Sequence, residues 1–155
     1  MAQKGVTDHF TVTFVATKTQ DNQWLLTAIE IKLRQGGTTH SMMALKALTN
    51  GEYSINEACF KSLTGKQKFY IASDEICDEN LRSLLPIDVV EHFSKSDLQF
   101  NSNTERGVVF HLLGSMSKYG RVGVTCIADS HEEAEEIFKK TVCCMKEISC
   151  APISM

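Results

Sequence analysis

The chain has 155 residues, 43% of them hydrophobic and 23% charged, with a formal charge of −3. That length suits one domain burying roughly two-thirds of its unfolded surface, with little room for separate cofactor and substrate domains. Bases such as Lys61, Lys66, Lys68, Lys118 and Arg121 are interspersed with acids, so no nucleic-acid footprint forms, and no apolar run reaches the roughly 20 residues of a membrane span.

Residues 10–16, FTVTFVA, alternate Phe10, Val12, Phe14 and Ala16 against Thr11, Thr13 and Val15, which predicts a strand. The polar stretch 17–23 carries the turn signal Asp21-Asn22, and residues 24–34 form a second strand, so the two make an antiparallel hairpin. Read with period two, that second strand places Trp24, Leu26, Ala28, Glu30, Lys32 and Arg34 on one face and Leu25, Thr27, Ile29, Ile31 and Leu33 on the other. Three charges on one face keep a surface strand soluble, or they serve a ligand. The following GGTTH favours the ligand: Gly36 and Gly37 allow a tight turn or close approach, and Thr38 or Thr39 can cap a helix starting near Ser41. A charged strand end, a glycine turn and a helix N-terminus together suit an anion.

Residues 41–48, SMMALKAL, read as a helix with Met42, Leu45 and Leu48 on one face, stopped by Asn50-Gly51. The methionine pair reads as core filling. Between Tyr53 and Gly65 two readings stand: a short helix capped by Ser54 and Glu57, or a long hairpin. Residues 68–73 predict a strand, 74–85 a partly helical connection, and Pro86 the first turn of a helix through about Phe93. Residues 97–106 read as a surface loop. The apolar runs 107–113 and 121–128 flank a reversal at Gly120 and form a second hairpin. Ser130 and Glu133 match a capping box, opening a helix from about 131 to 148 with a core stripe of Ala134, Ile137, Phe138, Thr141, Met145 and Ile148. Its acidic run, Glu132, Glu133, Glu135 and Glu136, reads as a solvated face near the positive end of the helix dipole. The tail from about 149 reads as loose.

The six cysteines, Cys59, Cys77, Cys126, Cys143, Cys144 and Cys150, lack C-x-x-C spacing, and the N-terminus lacks the apolar core of a signal peptide. They read as reduced thiols of a cytoplasmic protein, most of them core residues. No histidine among His9, His40, His92, His111 and His131 pairs with a cysteine at zinc-ligand spacing. A cysteine-based enzyme would need a cysteine–histidine pair that sequence distance alone does not show.

Glu30-Ile31-Lys32-Leu33-Arg34 followed by GGTTH resembles the E-x-N-x-R strand and glycine turn near the end of ATP-grasp carboxylate–amine ligases, in the form seen in pheganomycin-type peptide ligases. The resemblance continues through TNGEY (49–53), KFYIASD (68–74), LLPIDVVEH (84–92) and residues 107–138. It implies the C-terminal lobe of the ATP-grasp fold: a single α+β unit over 1–155, with antiparallel β-hairpins and helices packed on one side. In that family the glutamate and asparagine hold magnesium, the arginine contacts the reacting group, and the preceding strand supplies a further acid. Carried over, Glu30 is the metal position, Arg34 the catalytic one, and Lys32, Gly36, Gly37, Thr38 and Thr39 the nucleotide-binding set. Lys32 replaces the asparagine, and the upstream acid falls on or near Thr13. An ammonium ion repels magnesium and offers it no lone pair.

These departures imply a degenerate, non-catalytic module acting through protein partners or the rest of a larger polypeptide. The alternative is half of an ATP-dependent carboxylate–amine ligase, with ATP and magnesium as cofactors. A narrower resemblance, to the C-terminal region of an animal IQ-motif-containing protein, implies calmodulin as a partner reached through regions outside this chain.

Overall fold

The computed structural model describes residues 10–150, and the chain divides into two compact units, Met1–Met43 and Ala44–Met155. The division falls inside the helix α1 (Thr39–Thr49). His9 and the tail from 151 onward lie outside the described residues.

In the first unit, β1 (Thr11–Lys18) pairs antiparallel with β2 (Trp24–Lys32), as the alternation predicts. The turn closes through hydrogen bonds from the Thr19 N–H to the Gln23 carbonyl (2.8 Å) and from the Asn22 N–H to the Thr19 carbonyl (3.0 Å). Asn22 has φ of 63°, a left-handed conformation that asparagine tolerates better than most residues. β2 ends at Lys32, so Leu33 and Arg34 lie beyond the strand.

The register corrects the face assignment read from period two. Phe14 pairs with Ala28 and Thr13 with Glu30, so Ile29 is an extra residue and β2 bulges there. Directly paired residues share a face, and the extra residue resets the alternation. Ile31, opposite Val12, therefore joins Phe14, Ala16, Trp24, Leu26 and Ala28 on one face. Glu30 and Lys32, opposite Thr13 and Thr11, join Val15, Thr17, Leu25 and Thr27 on the other. One face is thus almost wholly apolar, and the second is threonine-rich with its charges at one end.

The second unit is built on one sheet of strand order β3-β4-β5-β7-β6, every pairing antiparallel. Its strands are β3 (Glu52–Ser54), β4 (Cys59–Lys61), β5 (Gln67–Cys77), β6 (Gly107–His111) and β7 (Arg121–Ala128). Residues 52–68 thus take the hairpin reading, and no helix forms at Ser54. Its turn is closed from the Ser62 N–H to the Lys66 carbonyl (2.9 Å). β5 runs four residues past the predicted end at Ser73 because a second bulge, with Asp74 and Glu75 between the paired Ser73 and Ile76, lets the strand continue. A 3₁₀ turn, Glu79–Ser83, follows, and then α2 (Pro86–Ser94), with proline at its first position as predicted. A 3₁₀ turn and the short helix α3 (Met116–Tyr119) join β6 to β7. The chain reverses at Gly120, where φ is 58° and a Cβ would lie 2.6 Å from the Asp78 carbonyl oxygen.

The helix α4 (His131–Cys150) covers one face of this sheet, where Ile76, Val122, Val124, Cys126, Phe93, Met145 and Ile148 form the core. It starts where predicted and runs two residues longer. Ser130 Oγ accepts the Glu133 N–H (3.1 Å), while the Glu133 carboxylate reaches back to the Asp129 N–H (3.1 Å), one residue before the expected box partner. Of the predicted stripe, Ala134, Thr141, Met145 and Ile148 are buried, whereas Ile137 and Phe138 are only partly so.

Two expectations about small apolar residues fail. In α1 only Leu45 is core, while Met43 is 50% exposed and Leu48 36%. Among the described cysteines only Cys126 is buried, and burial pushes its thiol up to about 12. No helix among the described residues is long and apolar enough to cross a membrane.

Candidate functional site

The sequence-predicted site occupies one end of the threonine-rich hairpin face. Glu30 and Lys32 lie two residues apart past the bulge and form an ion pair of 3.1 Å, each side chain a little under half exposed. Thr13 sits directly across from Glu30 and Thr11 across from Lys32. Cross-strand partners have Cβ atoms about 4.5–5.5 Å apart, so a carboxylate at position 13 would stand beside that of Glu30. The glycine turn returns to the same corner, since a Cβ on Gly36 would meet Thr11 Oγ1 at 3.3 Å.

Thr39 does not serve as the cap expected for a helix starting near Ser41. It is the first residue of α1, and its buried hydroxyl accepts the Gly36 N–H (3.0 Å) while its own N–H donates to the Gly36 carbonyl (3.1 Å). The turn is thereby tied to itself. Gly37 and Thr38 are exposed, with open space around Gly37. Arg34 Nη1 donates to the neighbouring Gln35 carbonyl (3.3 Å), and among the described residues it forms no ion pair with Glu30. The structure therefore gathers Glu30, Lys32, Thr11, Thr13, Gly36 and Thr39, and turns Arg34 toward its own backbone.

These donors do not fit magnesium. The ion takes near-octahedral oxygen ligation. Among the described residues Glu30 is the one carboxylate of the corner, its charge is met by an ammonium ion at 3.1 Å, and the cross-strand position offers only a neutral hydroxyl.

The second unit holds polar clusters that periodicity could not show. Lys68 has a fully buried side chain, and its Nζ donates to Asp129 Oδ1 (2.5 Å) and to the carbonyls of Glu105 (3.1 Å) and Thr104 (3.3 Å), with the Glu105 carboxylate at 3.5 Å. Burial works to raise the Glu105 carboxyl, but hydrogen bonds from Ser62 and Thr64 together with the Lys68 charge hold it below the ordinary carboxylate value. His111 Nε2 lies 2.7 Å from Asp74 Oδ1 on the sheet. The imidazole fits because β7 has glycine at 123, where a Cβ would fall 2.2 Å from the ring. His92 Nε2 lies 3.2 Å from Cys144 Sγ, the cysteine–histidine proximity that sequence distance concealed. Burial and the nearby Glu147 and Cys143 raise the Cys144 thiol, opposite to what a nucleophile needs. In the acidic run of α4, Glu135 and Glu136 pair with Lys139 and Lys140 one turn on, and Glu133 pairs with Arg106, so these acids are a salt-bridged face.

Residues 88–141 match a protein family described as the PGM1 C-terminal domain. An L-propargylglycine–L-glutamate ligase of Streptantibioticus cattleyicolor is 29% identical over 110 residues, which is 71% of this chain and 23% of the ligase. Both findings support a ligase-like, ATP-grasp-related domain. The chain thus spans about a quarter of the length of that curated relative. No solved structure matches this chain. Neither match is an IQ-motif protein, so the narrower resemblance, and calmodulin with it, rests on no finding.

Proposed function

We propose that this chain is a degenerate ATP-grasp-like module that acts by binding, without magnesium-dependent phosphoryl transfer of its own. The observation that supports this reading is the 3.1 Å pair of Lys32 with Glu30, with Thr13 across the ribbon in place of a carboxylate. The ammonium ion meets the carboxylate charge that would attract a divalent cation and adds repulsion of its own. Glu30 becomes a counter-ion instead of a ligand. Lys32 and the turn at Gly36 and Gly37 still present positive charge and open backbone to an anion, so a phosphate group can bind here without turnover.

The similarity to the Streptantibioticus ligase favours a second reading, in which this chain supplies one part of an ATP-dependent ligase whose other groups come from elsewhere. Calorimetric titration of ATP into the chain, with magnesium and with a chelator, separates the two. The first reading expects weak binding that is indifferent to magnesium. Low-micromolar binding that requires magnesium overturns it and favours the ligase.

A further inference from the structure

We propose that the outer edge of β5, from Phe69 to Cys77, is a docking site for an extended peptide carrying a large apolar side chain next to a basic one. The two long edges of the sheet differ. On the β6 side the preceding segment covers the edge at Val108, with the Val108 N–H donating to the Leu98 carbonyl (2.7 Å) and the Phe100 N–H to the Val108 carbonyl (3.2 Å). On the β5 side, β4 pairs only with Gln67 and Lys68, and beyond them no strand among the described residues pairs with the outer edge of β5. Alternate N–H and C=O groups along that edge are the complement of another extended chain.

A cavity of about 300 Å³ adjoins the far end of this edge, between Ser73–Cys77 and α4. None of its lining residues comes from β7, so it opens on the outer side of β5. Its walls are the partly buried Phe138 and Val142 over the buried Ile76, Leu81 and Met145, an apolar pocket of the size that takes one aromatic or long aliphatic side chain. This explains why Phe138 is only partly buried although it falls on the core stripe of α4. The bulge at Asp74 and Glu75 stops strand pairing from running through unchanged. An added strand therefore pairs along Phe69–Ser73 and delivers its apolar side chain at the bulge.

The rim selects a basic neighbour for that side chain. Glu75 and Asp78 lie at the rim of the cavity, with Lys146 as the one cation among its lining residues. Asp78 already accepts the Asn80 N–H (2.9 Å) and the Ser149 hydroxyl (3.1 Å), whereas the exposed Glu75 carboxylate forms no ion pair among the described residues. A lysine or arginine on the peptide gives it one.

The test is a titration of the isotope-labelled full chain with the blocked synthetic peptide TVKFKVT, followed by amide chemical shifts. The proposal expects shifts confined to 69–77 and to the cavity face of α4, and weaker binding of TVKAKVT. Glu75→Lys is an exposed change that leaves the fold intact by circular dichroism, and it should weaken TVKFKVT about three- to tenfold while favouring TVEFEVT. No shifts up to about 1 mM peptide, shifts elsewhere, or equal binding of TVKAKVT overturns it. So does a chain that sediments as a dimer with the 69–77 amides protected, because a second copy then fills the edge.

Discussion

The hairpin of the first unit and the sheet of the second are both antiparallel, yet they are stabilised in opposite ways. In the sheet, Val122, Val124 and Cys126 are 0% exposed beneath α4. In the hairpin, Trp24 is 65% exposed, Leu26 63%, Phe14 55% and Ile31 53%. A two-stranded ribbon is marginal without a layer against its apolar face. The comparison teaches that alternation in a sequence reports which side of a strand is apolar, and does not report whether anything covers it. The candidate site lies on the element whose described apolar side chains are mostly exposed, where substitutions should have little effect on the fold.

The sharpest way to break this contrast is in the second unit. Phe93 is 2% exposed and packs edge-to-face on Phe110 at 4.7 Å between ring centres, so Phe93→Ala should cost about 3–5 kcal/mol by urea unfolding. A cost under about 1 kcal/mol would mean that the core is not closed there. Lys68→Met removes the cation that serves the buried Glu105 carboxylate and the part-exposed Asp129, and leaves the Glu105 and Thr104 carbonyls without their donor. Breaking such a buried pair costs about 3–5 kcal/mol, again read by urea unfolding.

A smaller effect comes from acid. Because the Glu105 carboxyl is held below its ordinary value in the folded state, its contribution is present above about 4.5 and is lost as pH falls through the lowered folded value. Unfolding followed from pH 6 toward pH 3 should show this loss, and Glu105→Gln should reduce the slope. The smallest effect belongs to the hairpin. Leu26→Ala should change stability by no more than about 0.5 kcal/mol, since the side chain is exposed, and a cost above about 2 kcal/mol would reveal a cover over the ribbon.

Much of the architecture was legible because it rests on local signals. Alternation marked the first hairpin, apolar runs around Gly120 marked the second, Pro86 opened α2, and Ser130 with Glu133 opened α4. The bulge at Ile29 was not legible, since it is a property of the pairing between strands, and it moved Glu30 and Lys32 to the opposite face from Trp24 and Leu26. Their mutual spacing survived because both lie past the bulge, so the corner of Thr13, Glu30 and Lys32 could still be read. The Asp74–His111 and His92–Cys144 contacts were invisible, because 37 and 52 residues separate the partners and no periodicity spans such distances. Lys68 reads as one surface charge among many until the loop at Thr104 and Glu105 folds over it.

The central claim is that Lys32 and Thr13 have removed a divalent-metal site around Glu30. The most direct measurement is a manganese titration followed by paramagnetic broadening of amide signals, comparing the natural chain with the Thr13→Asp/Lys32→Asn double variant. The account predicts no localised broadening in the natural chain, and in the variant a gain centred on positions 11–13 and 30–32. Equal broadening at Glu30 in the natural chain, or none in a folded variant, would contradict it.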